Sequence, residues 1–241
     1  MDVQRGRPAL LEPGVVVLLW LRVLLLVVLS WGALVTALSG NPPLRPLGEF
    51  RAALRAGEVS YVIAEGSGRV LRDLRWSSGT LFWSRAILSV PGTSGYSQTD
   101  LNADLSVVYG PPPVDRRIGT QNGRGFLPRW PFHVPVPYGS WPVGAAWVLA
   151  LLGMLSVERP RAGNRWAWFW LFTVGRVGAI LFLVLESRPL WRPFDDLPPP
   201  SSRLGGGRGC LLSLVMGVIS AVAAYAVGEA VEAVVLTATG L

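Results

Sequence analysis

The chain has 241 residues, 51% hydrophobic and only 15% charged, with a mean hydropathy of +0.42 and a formal charge of +7. Soluble domains carry about 25% charged residues, so the composition points first to an integral membrane protein. All 22 basic residues are arginine, which excludes a Walker A lysine, a Schiff-base lysine and a Ser-Lys dyad.

A single cysteine, Cys210, excludes an intramolecular disulfide. With a single histidine, His133, it leaves too few ligands for a His/Cys zinc site. No metal and no cofactor is expected. The positive charge does not read as a nucleic-acid surface, because the arginines are dispersed and membrane proteins carry basic loops for topological reasons.

Residues 1–13 form a short tail with Arg5 and Arg7. Residues 14–38 are largely apolar with Arg22 as the one charge, and crossing hydrocarbon takes about 20 residues. They are expected to be a first transmembrane helix with Arg22 snorkelling toward its N-terminal boundary. A cleaved signal peptide is the rival reading, but the apolar run exceeds a typical signal core of about 7–15 residues.

From 39 to 113 the pattern changes to that of a small α+β domain. Leu47, Phe50 and Leu54 share one helical face, and Gly57 is a natural stop. Strands are expected over 59–64, 71–77 and 80–90, with Ser78-Gly79 as a turn. A short helix is expected over 100–105, with a last strand over 106–109 before Pro111-Pro112-Pro113.

Residues 114–140, rich in Pro and Gly, read as a linker ending in an aromatic collar, Trp130 to Trp141. Residues 141–157 are read as a second span and 158–165 as a basic turn. Residues 166–186 are read as a third span, opening on Trp166-Ala167-Trp168-Phe169-Trp170. A flexible loop, 187–209, leads to a fourth span at 210–236. The expected fold is therefore an α-helical membrane protein of about four transmembrane helices, with the α+β domain between the first two.

Two resemblances follow. Phe50-Arg51-Ala52-Ala53-Leu54-Arg55-Ala56-Gly57-Glu58-Val59 and the elements after it, over 47–110, resemble the small extracytoplasmic domain of the membrane-anchored bacterial AAA protease. The chain lacks that family's ATPase and protease modules, so the resemblance implies a sensing or docking fold and no proteolysis. The hairpin from Glu158 to Trp170 resembles uncharacterised multi-pass membrane proteins of high-GC Gram-positive bacteria, which implies topology only.

Arginine counts conflict over orientation. With four spans and the N-terminus inside, Arg5, Arg7, Arg159, Arg161 and Arg165 are cytoplasmic, while Arg188, Arg192, Arg203 and Arg208 fall outside. Long loops translocate largely regardless of charge, and the eight-residue turn is the denser basic segment. The expectation is a cell-membrane protein with both termini cytoplasmic, residues 39–140 extracytoplasmic, and Cys210 near the outer surface.

Within the apolar segments, Arg176 or Arg22 is a candidate partner for Glu229, because a midplane arginine costs about 2.5–3.5 kcal/mol unless it is satisfied. Gly217, Ala221, Ala224 and Gly228 form a small-residue face on the last helix, suited to close packing on another helix or a second copy. The expected partners are the bilayer and, through such faces, another membrane protein or the chain itself. No catalytic set is visible. The expected function is non-enzymatic binding, sensing or scaffolding; the alternative is a small transporter or channel component using Arg176 and Glu229.

Overall fold

A computed structural model of the chain describes residues 13–67, 70–88, 95–118, 130–157, 164–174, 176–185 and 206–239. A helical bundle and a five-stranded mixed sheet make up its two regions.

The bundle begins with α1, Pro13–Gly40. Among the described residues one helical stretch, Val16–Gly40, is both long and apolar enough to cross a membrane. α4, Ser140–Ser156, packs on α1. Gly32 lets it approach, since a Cβ there would lie 2.5 Å from Val143 Cγ2. α5, Arg165–Thr173, α6, Gly178–Leu185, and α7, Gly206–Thr239, complete the bundle. Leu29, Val143, Met154 and Phe172 are buried in its core.

The four-span architecture is not what the chain adopts. α4 is 17 residues long, short of the roughly 20 residues needed, and among the described residues Val16–Gly40 alone passes in both length and apolarity. The segment expected to be a third span breaks in two. Arg176 takes φ +53°, a left-handed conformation that costs an ordinary residue energy, and α6 then folds back along α5. Phe182 meets both Trp168, 5.4 Å between ring centroids, and Phe172, 6.0 Å. A Cβ on Gly178 would collide with the Leu171 carbonyl carbon and the Phe172 nitrogen. Apolarity and length signalled a crossing, but neither detects a reversal.

That reversal changes where the later chain lies. α5 and α6 form an antiparallel hairpin, so Leu185 returns to the end where α5 starts. α7 starts there too: a Cβ on Gly209 would be 2.5 Å from Ala167 Cα. Cys210, half-buried in α7, therefore belongs to the end of the bundle remote from the sheet.

The sheet has strand order β1-β4-β3-β2-β5, with β1 Leu44–Pro46, β2 Tyr61–Ser67, β3 Val70–Ser77, β4 Trp83–Ile87 and β5 Val114–Ile118. The central pairs, β2 with β3 and β3 with β4, are antiparallel; the edge strands β1 and β5 are parallel to their neighbours. α2, Leu47–Arg55, and α3, Gln98–Ser106, cover one face. Phe50, Leu54, Leu101 and Leu105 pack there on Val62, Leu74 and Trp76.

Local chemistry sets these boundaries. Gly57 ends α2 with φ +72°; its N–H donates to Leu54 O at 3.1 Å and that of Glu58 to Ala53 O at 3.0 Å, a Schellman closure. Ser97 caps α3 reciprocally with Asp100. The strand expected over 106–109 is absent, because α3 runs through Ser106 and Gly110 turns at φ +73°. The last strand is instead β5, inside the stretch read as linker.

Candidate functional site

The sheet face away from α2 and α3 carries the most concentrated polar chemistry among the described residues. Paired residues in a sheet point to the same side. The register aligns Leu44, Arg85, Arg75, Ile63 and Asp115 in one row across all five strands. Asp73 lies on this face two residues from Arg75, and Tyr61 and Trp83 meet edge-on at 6.3 Å.

Asp73 is the hub. Its carboxylate is only 7% exposed, and it accepts from Arg75 Nε at 2.6 Å through Oδ2 and from Arg85 Nε at 2.5 Å through Oδ1. A carboxylate this buried is stable as an ion only with such partners. Arg75 has a second task. Its Nη1 donates to Ser39 O at 2.9 Å and Gly40 O at 3.2 Å, the last carbonyls of α1. A cation there satisfies orphan acceptors and complements the helix dipole.

At the other end of the row, Asp115 Oδ2 lies 3.1 Å from His133 Nε2. His133 thus joins β5 to the segment that leads into α4. Arg75 on the central strand β3 and Asp115 on the edge strand β5 hold this face of the sheet on the end of the bundle.

A second cluster sits between α2 and α3. Tyr96 Oη donates to Asp104 Oδ2 at 2.6 Å, and Arg51 Nε donates to the same oxygen at 2.8 Å. Arg51 also lies 5.6 Å over the Tyr96 ring. Burial, reinforced by the bond to Asp104, pushes the Tyr96 phenol far above its ordinary range, so it stays a neutral donor. Arg51 is raised by its own hydrogen bond to Asp104. These are structural linkages between helices.

Arg22 and Arg176, expected near Glu229, both bind main-chain carbonyls. Arg22, buried in the bundle, donates its Nε to Leu183 O. Arg176 donates Nη1 to Trp130 O at 2.9 Å. The side chain of Glu229 lies outside the described residues. Gly217 is half-buried in α7, and the side chains of Ala221 and Ala224, with Gly228, lie outside the described residues. Close helix approaches occur at Gly32, Gly178 and Gly209.

Sequence reasoning passed over Asp73, Arg75 and Arg85. The alternation in Asp73-Leu74-Arg75-Trp76 was readable, but not that α1 would end against it. Among the described residues no group of three or more His, Cys, Asp or Glu side chains could hold a metal ion. Comparison with protein-family models, curated proteins and solved structures finds no match for this chain.

Proposed function

We propose that this protein is a membrane-anchored binding or sensing protein with no enzymatic activity of its own, in which α1 is the anchor and the sheet is the receiving domain. The observation that carries this reading is the Arg75 bridge: one guanidinium binds the sheet's buried Asp73 and the last two carbonyls of α1. A ligand that shifts β3 or β4 would therefore pull directly on the anchor. The resemblance of 47–110 to the outer domain of the membrane-anchored protease supports a docking or sensing role for the sheet.

The proposed orientation is N-terminal tail inside and sheet outside. The α5–α6 reversal supports it by resolving the arginine conflict. The described residues that flank the tail, residues 158–163 and residues 186–205, namely Pro13, Val157, Asn164, Leu185 and Gly206, all lie at the end of the bundle remote from the sheet. Those segments and the helix starts beside them carry Arg5, Arg7, Arg159, Arg161, Arg165, Arg188, Arg192, Arg203 and Arg208, and arginine-rich short segments stay cytoplasmic. Four crossings are not needed for this.

The test uses the full chain in cell membranes. Alkaline carbonate should leave it in the pellet, and a photo-crosslinking residue replacing the fully exposed Tyr109 should yield one discrete adduct. Release by carbonate would end the anchored reading; an unadducted chain would end the binding one.

A further inference from the structure

We propose that the corner of the sheet formed by Leu44, Pro46, Ile87 and Arg85 rests on the phospholipid headgroups where α1 leaves the bilayer. This rests on the reading of α1 as an anchor. α1 has 28 residues, about 42 Å at 1.5 Å per residue. A bilayer measures roughly 30 Å across its hydrocarbon and 40–45 Å with headgroups. A crossing α1 therefore ends in the headgroup layer.

The sheet has no slack to move away from that level. Only three residues separate Gly40 from Leu44, and Arg75 holds the Ser39 and Gly40 carbonyls. The face bearing Arg75 is thus turned toward the lipid. Its β2–β5 side is joined to the collar through Asp115 and His133. Its β1–β4 side lies at the exit of α1, which β4 contacts. There Leu44 is 60% exposed and Ile87 44%, with Pro46 exposed between them and Arg85, partnered by Asp73, still 40% exposed.

Singly exposed apolar side chains need no explanation. Three on one corner, around an arginine and beside a membrane exit, match the boundary where apolar groups meet the glycerol region and a guanidinium meets phosphate. The occupant is therefore a lipid surface.

The experiment places an environment-sensitive fluorophore on single cysteines in a Cys210→Ser background. The full chain is reconstituted in phosphatidylcholine–phosphatidylglycerol vesicles. Leu44→Cys and Ile87→Cys test the corner. Val107→Cys, 78% exposed at the end of α3 on the covered side of the sheet, is the aqueous control, and Leu24→Cys, 59% exposed on α1, reports the anchor.

A headgroup-attached quencher should act several-fold more strongly on the Leu44 and Ile87 labels than on the Val107 label, and aqueous iodide should show the reverse order. Iodide quenching of the corner labels equal to that at Val107 would overturn the proposal, as would shielding from iodide without quenching from the headgroups. An acyl-chain quencher that leaves the Leu24 label untouched would remove the anchor, and this proposal with it. Quenching at Leu24 with an accessible corner would remove this proposal alone.

Discussion

The bundle and the sheet solve the same problem, an arginine kept from bulk water, in opposite ways. In the sheet, Arg75 and Arg85 face a carboxylate, Asp73, that is itself buried. In the bundle, Arg22 and Arg176 bind the carbonyls of Leu183 and Trp130. Those carbonyls are spared by irregularity: Leu183 lies in the last turn of the short α6, where helices leave acceptors unsatisfied, and Trp130 lies in a turn. Broken helices thus do for the bundle what an acid does for the sheet. The same breaks that shorten the apolar segments give its cations somewhere to bond.

The largest expected effect tests the sheet's half of this contrast. Asp73→Ala leaves two arginines against a half-buried face without their carboxylate, and should cost about 3 kcal/mol in chemical unfolding followed by near-ultraviolet circular dichroism. A loss within the range of an exposed pair, below about 1 kcal/mol, would mean the hub is ordinary surface.

Gly178→Ala tests the bundle's half. In an open helix this change stabilises by up to about 1 kcal/mol. Here the new methyl meets the α5 backbone, and overpacking costs about 1–3 kcal/mol. A lower melting temperature in detergent supports the hairpin, and a higher one denies it.

The smallest effect lies at α3. Ser97→Ala should cost about 1 kcal/mol. The Ser97 hydroxyl, and then its backbone N–H, hold the Asp100 carboxyl below its ordinary value. A depressed carboxylate contributes stability that is complete above its unfolded value, about 3.9, and is lost as pH falls through the lower folded value. The acid limb of the stability curve should therefore flatten in Ser97→Ala; an unchanged limb would remove the capping box as its source.

What the sequence disclosed followed from local rules. α2, its glycine stop and the turn at Ser78-Gly79 were legible because each is decided within a few residues. β5 was missed because Val-Asp-Arg-Arg-Ile carries an edge strand's polarity and follows a proline run. The α5–α6 reversal was missed because Trp166 to Leu185 is apolar throughout except at Arg176, and hydropathy has no term for direction. The Arg75 bridge was illegible because it joins residues 36 apart whose meeting depends on where the sheet settles.

Because α6 turns back, the start of α7 shares a side with the start of α1 and lies opposite the sheet. The direct measurement is labelling by an impermeant maleimide in intact cells, in a Cys210→Ser background carrying an N-terminal tag. Val107→Cys should be labelled at once. Arg208→Cys, exposed on the first turn of α7, should label only when permeabilisation also exposes the tag. Labelling of Arg208→Cys alongside Val107→Cys in sealed cells would contradict this placement.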